Sequence, residues 1–135
     1  MICLDANIVI GMISGRNPTL RHRLGEQMRS GTPIGLSVVA LFELRYVIAK
    51  STRSVENERL LQRFLELGID VLSFEAEDAD HAGDIRAGLE RAGVPIGPFD
   101  CLIAAQARRR NAALITQNTR EFERVPGLLV VNWAA

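Results

Sequence analysis

The chain has 135 residues, 47% of them hydrophobic and 24% charged, with a formal net charge of zero. That length is enough to bury a real core, so the chain is read as one globular domain over residues 1–135. Zero net charge excludes a nucleic-acid binder that works by bulk basicity, so any such role must come from local features.

The N-terminal Ile2-Cys3-Leu4 is a short apolar strand, followed by Asp5-Ala6-Asn7 and a helix through Ile13. No basic n-region or long apolar stretch marks a secretory signal, and no run approaches the ~18 apolar residues of a membrane span. A cytoplasmic, reducing location is expected, with Cys3 and Cys101 as buried free thiols. An acid at the C-terminal end of a strand lies where open α/β sheets bind ligands, although Asp5 could equally cap the next helix. Asn7 is close enough in sequence to orient Asp5 or a water bound to it.

Residues 17–30 form an amphipathic helix with Pro18 in its first turn. Leu20, Leu24 and Met28 face inward, while Arg21, Arg23 and Arg29 are left outside. Ile34 to Ser37 is a strand, and Ser37 caps a helix over 38–50 that is apolar on nearly all sides. Glu43 stands in its middle, one turn from Val39 and Val47. A buried, unpaired carboxylate costs several kcal/mol and is retained with a cationic partner or a metal. Arg45 is near in sequence but points to another face. A second amphipathic helix over 54–67 makes a hairpin with the helix over 38–50, through Ser51-Thr52-Arg53.

Ile69 to Leu72 returns as a strand, and residues 75–92 form a helix with Glu75, Glu77, Asp78 and Asp80 in its first turns, as the dipole prefers. His22 and His81 share no ligand spacing, which argues against a zinc site or a Ser–His triad. Pro95, Gly97 and Pro98 then open the most informative stretch, Phe99-Asp100-Cys101-Leu102-Ile103-Ala104-Ala105-Gln106-Ala107. It reads as a buried helix with one acid, Asp100, in its first turn. Arg108, Arg109 and Arg110 follow, as dipole complementation or as a contact for an acidic partner. Residues 113–116 form a strand that delivers Thr116, Asn118 and Glu121 to the sheet edge, and 128–131 form the last strand.

Five apolar strands alternating with helices predict a three-layer α/β/α fold around a mainly parallel sheet. Its strand ends would collect Asp5, Thr116, Asn118 and Glu121, with Glu43 and Asp100 brought to the same edge on helices. Carboxylates from distant segments repel one another, and a hard divalent cation such as Mg²⁺ relieves this. Such a site activates water and steadies phosphoryl oxygens without His or a nucleophilic Ser.

The sequence here resembles the PIN-domain ribonucleases, in particular the VapC toxins of bacterial VapBC toxin–antitoxin pairs. The resemblance is carried by Leu4-Asp5-Ala6-Asn7, Glu43-Leu44, Pro95-Ile96-Gly97-Pro98-Phe99-Asp100, Ile103-Ala104-Ala105 and Thr116-Gln117-Asn118-Thr119-Arg120-Glu121-Phe122, in order over the whole chain. It implies a PIN fold, Mg²⁺- or Mn²⁺-dependent RNA cleavage, a homodimer, and inhibition by a VapB-type antitoxin in a heterotetramer or larger assembly. Asp5, Glu43 and Asp100 match the family's acidic triad, as metal-holding catalytic residues, with Asn7, Thr116, Asn118 and Glu121 supporting. The Pro95–Asp100 and Asn118–Phe122 motifs resemble a subgroup that cleaves initiator tRNA in the anticodon loop. Two departures stand out: Ala6 replaces the usual Thr, and Asn118 stands where many relatives carry a fourth Asp. The alternative reading is a catalytically silent PIN-like module that binds RNA or protein.

Overall fold

The computed structural model describes residues 1–134. Its elements in chain order are β1 (Ile2–Leu4), α1 (Ala6–Ser14), α2 (Pro18–Arg29), β2 (Ile34–Ser37), α3 (Val38–Ala49), α4 (Ser54–Leu65), β3 (Asp70–Leu72), α5 (Ala76–Arg91), α6 (Pro98–Arg109), β4 (Ala113–Ile115), α7 (Thr119–Phe122) and β5 (Val130–Val131). The five strands form one sheet in the order β3-β2-β1-β4-β5, and every pairing is parallel.

Burial explains why the strands are apolar runs. Leu4, Leu36 and Leu114 on the three central strands are fully buried, as a sheet flanked by helices on both sides requires. The edges are different: Asp70 and Val71 of β3 are exposed, and β5 is only two residues long. The sequence predicts that last strand over 128–131, but after the left-handed Gly127 (φ 79°) the Leu128 amide still donates back to the Val125 carbonyl, and the strand proper is Val130–Val131.

The helices fall into two groups. α1, α2, α3 and α4 pack on one another, while α5 packs chiefly on α6, which also touches β4 and α3. The α1–α2 corner is close: a Cβ on Gly11 would lie 2.7 Å from a Leu20 methyl. Arg21, read from the sequence as an outward cation, donates through Nε to the Met12 carbonyl at 2.7 Å and ties this corner. On α3, Ala40, Leu44 and Ile48 form the buried face at i, i+4, i+8. One row suffices to dock the helix, so Phe42, Tyr46 and Val47 remain exposed although the sequence reads the helix as apolar all round.

The Arg108–Arg110 run takes a role that neither sequence alternative names. Arg108 pairs with Asp84 and donates to His81, and both Arg109 and Arg110 reach the fully buried Asp78. Asp78 also accepts from the Glu75 backbone amide, so one side chain caps α5 and binds α6 to it. Burial works against its ionised form, but Arg109, the Glu75 backbone amide and Arg110 together hold the Asp78 carboxyl below the usual carboxylate range.

Candidate active site

The order β3-β2-β1-β4-β5 reverses direction at β1. The chain builds outward through β2 and β3, then crosses to β4 on the other side, leaving a crevice beyond the C-terminal ends of β1 and β4. Asp5 and Thr116 are the residues that follow those two strands. The Asp5 amide donates to the Ile115 carbonyl at 2.9 Å, extending the ladder to the rim of the crevice.

A cavity of about 230 Å³ lies there, lined by Asp5, Ala6, Asn7, Ile10, Glu43, Val47, Asp100 and Asn118. Asp5 comes from the β1–α1 junction, Glu43 from the middle of α3, Asp100 from the first turn of α6, and Asn118 from the residue before α7. Thr116 and Glu121 stand behind this wall. All seven residues singled out from the sequence are thus at or beside one cavity.

Asp5 is buried and held at both oxygens: Oδ1 accepts from the Ala6 amide and Oδ2 from the Thr116 hydroxyl, each at 2.8 Å. Thr116 in turn accepts from the Asn118 amide at 2.9 Å. Burial raises the Asp5 pKa, and these two donors oppose the rise by favouring the charged form. Asn7, expected to orient Asp5 or a water bound to it, is exposed and lines the cavity, and the direct hydrogen bond to the Asp5 carboxylate comes from Thr116.

Glu43 is half-buried. Its pKa is raised by burial and then by the charge of Asp5, while Arg45 pairs with Glu58 across the α3–α4 hairpin. Asp100 is pushed up to about 7, first by burial, then by the charges of Asp5, Glu43 and Glu121 and by a hydrogen-bond contact with the Glu121 carboxyl. It makes no side-chain cap on α6, whose N-cap is Gly97. A Cβ on Gly97 would lie 3.2 Å from an Asp100 oxygen, so this glycine makes room for the carboxylate.

Asn118 is the residue at the N-cap of α7, yet its side chain makes no capping bond. Its amide nitrogen donates to Glu121 at 2.9 Å. The Asn118 side chain therefore faces the cavity, and Glu121 holds it from the far side while also pressing on Asp100.

Sequence reasoning did not single out Gln106. It is buried on α6, its Oε1 accepting from Ser37 and its Nε2 donating to the carbonyls of Leu72 and Ser73. The signal was present as the one polar side chain amid Ile103, Ala104, Ala105 and Ala107.

The donor set is chemically suited to a divalent cation: hard oxygens from three carboxylates and an amide, with the carboxylates' proton affinities raised by burial and, at Glu43 and Asp100, further by neighbouring charge. Among the described residues, no three His, Cys, Asp or Glu side chains are gathered closely enough to form a ready-made metal cage. The carboxylates share a cavity wall without converging on one point.

Residues 2–128 match the model of the PIN domain family. Across 131 residues the chain is 42% identical to the tRNA(fMet)-specific endonuclease VapC of Shigella flexneri, covering 97% of this chain and 96% of that protein. It is 35% identical over 130 residues to the tRNA(fMet)-specific endonuclease VapC of Salmonella typhimurium, covering 96% of each. The fold superposes on a chain from the crystal structure of VapBC2 from Rickettsia felis bound to a promoter DNA fragment, with a TM-score of 0.92 and 34% identity over 98% of this chain and 99% of that one. With its parallel sheet, its acidic crevice at the β1–β4 switch and relatives matched nearly end to end, the chain belongs to the PIN-domain family and, within it, to the VapC group.

Proposed function

We propose that this protein is a toxin endoribonuclease that hydrolyses RNA phosphodiester bonds with Mg²⁺ or Mn²⁺, with initiator tRNA as substrate. The observation carrying this reading is the cavity that joins Asp5, Glu43 and Asp100, in which Asp100 is raised to about 7 by burial and then by the neighbouring acids. An acidic crevice repels a phosphate backbone unless its charge is neutralised. Asp5, Glu43 and Asp100 are the residues that would hold a divalent cation, with the Asn118 amide beside them. Such a cation supplies Lewis-acid chemistry, withdrawing charge from phosphoryl oxygens and acidifying water.

The chain's own residues set the conditions for this. The Thr116 hydroxyl and the Ala6 amide fix Asp5 in one orientation and favour its ionised form. Glu43 and Asp100 approach on separate helices. Glu121 holds Asn118 in place through its side-chain amide. The tRNA assignment is supported by the names of the Shigella and Salmonella relatives.

The partner is a VapB-type antitoxin, since the Rickettsia structure that this fold matches is of a VapBC protein. An apolar groove of about 550 Å³ between α1, α2 and α4 suits an apolar helix of that partner; it is lined by Met12, Leu24, Met28, Leu60, Phe64 and Leu67, with Arg21 and Arg63 beside them. A cytoplasmic location goes with the proposed action on tRNA. A homodimer, and a heterotetramer or larger assembly with antitoxin, complete the proposal.

Purified protein incubated with total tRNA tests it directly. Cleavage of initiator tRNA in its anticodon loop is expected with Mg²⁺ or Mn²⁺, stopped by EDTA and lost in Asp100→Asn. Intact RNA at every metal concentration would leave a binding module without catalysis.

A further inference from the structure

Asp5 is fixed to the sheet, but Glu43 and Asp100 ride on helices whose separation no strand ladder sets. Two of the contacts that join those helices stand out. On the outside, the exposed rings of Phe42 and Phe99, each next in sequence to one of the acids, meet edge-on with centroids 5.5 Å apart. On the inside, Gln106 of α6 accepts from the Ser37 hydroxyl, and that same oxygen accepts from the Val39 and Ala40 amides at 3.0 and 3.4 Å to cap α3. The other end of Gln106 donates to the carbonyls of Leu72 and Ser73, at 2.9 and 3.0 Å, beyond β3.

We infer that Gln106 is a positioning residue that sets the spacing between Glu43 and Asp100, and through it the affinity of the acidic cavity for a divalent cation. The inference rests on the proposed metal-binding role of that cavity. Gln106 is 1% exposed and Ser37 3%, so the link is shielded from competing water. An amide can serve here because it offers an acceptor at one atom and two donors at the other. Glu43 and Asp100 each lie six residues from this clasp: Ser37 to Glu43 along α3, Gln106 back to Asp100 along α6. A rotation of either helix at the clasp therefore moves its acid at the cavity.

Calorimetric titration of the intact chain with Mn²⁺ tests this without reference to cleavage. Gln106→Leu is expected to weaken Mn²⁺ binding by about 10–100-fold, the usual effect of losing a residue that orients metal ligands. Ser37→Gly cuts the same link from the other side while largely sparing the helix cap, and is expected to weaken binding about tenfold; it also serves if Gln106→Leu fails to fold. Ile85→Val, a core truncation on α5, should lower the melting temperature and leave Mn²⁺ affinity unchanged. Affinity within threefold of the parent in both clasp variants, or equal weakening in Ile85→Val, overturns the positioning role alone. Absence of Mn²⁺ binding by the parent overturns the metal reading and this inference with it.

Discussion

Asp100 combines a place in the crevice with a strongly perturbed proton affinity. Its carboxyl is raised from 3.8 to about 7, with burial as the main cause and three acidic neighbours adding to it. Between those two values the folded state binds more protons than the unfolded chain, so stability falls as pH rises through the window from about 4 to 7. Removing the charge should stabilise the metal-free protein. Asp100→Asn is expected to raise the melting temperature by a few degrees at pH 7.5 in EDTA, about 1–2 kcal/mol after allowance for partial solvent exposure, while abolishing cleavage. Scanning calorimetry at pH 5 and 7.5 checks the sign: the gain should shrink at the lower pH. In the parent, cleavage at limiting metal should rise through pH 7, and more metal should move that rise to lower pH.

Glu121 offers a second test at the same scale. It lies behind Asn118 and raises Asp100. Glu121→Gln keeps an acceptor for the Asn118 amide but removes the charge, so the pH profile of cleavage is expected to shift toward acid, with metal affinity about tenfold weaker. Asp5→Asn should instead abolish cleavage outright. Complete loss in both variants would make Glu121 a direct ligand, and an unchanged profile in Glu121→Gln would reduce it to support for α7.

At the scale of elements, the α5–α6 pair holds one acid of the site, Asp100. α6 presents Asp100 at its start and is held at its end by Arg109 and Arg110, both on the buried Asp78. Removing one member of such a cluster leaves uncompensated charge, at a typical cost of about 3–5 kcal/mol. Asp78→Ala is therefore expected to lower stability at pH 7 by about 3 kcal/mol in chemical denaturation. The Asp78 carboxyl is held low, so its contribution is present above pH 4 and lost as pH falls further. The difference between parent and variant should narrow below pH 4 and stay constant between pH 5 and 8. Arginines that the sequence offers as contacts for an acidic partner are used here within the chain.

Over the whole molecule, two features lie apart: the acidic crevice at the strand ends and the apolar groove between α1, α2 and α4. Leu67 is 51% exposed at that groove, so a charge there costs the isolated fold little. Leu67→Glu is expected to leave RNA cleavage intact and weaken the antitoxin complex at least tenfold, which size-exclusion chromatography and growth rescue on co-expression would read. Rescue equal to that of the parent would place the antitoxin elsewhere.

The sequence by itself determined the element types and the identity of the acids. Apolar runs of strand length, Pro and Gly punctuation, and Ser37, Asn17 and Pro18 at helix starts are local signals that act within one turn of the chain. Asp5, Glu43 and Asp100 were legible because a carboxylate in an apolar segment is expensive wherever that segment packs. Only the tertiary structure decided which side chains answer one another across the fold. Thr116 rather than Asn7 makes the direct hydrogen bond to Asp5, because β1 and β4 are neighbours although 111 residues separate the hydrogen-bonded pair. Asn118 lines the crevice with Glu121 behind it, a choice that depends on how the α7 turn meets the sheet edge. Gln106 and Asp78 gain their importance from partners 31 to 69 residues away. Such pairings depend on how layers stack, and no local periodicity records them.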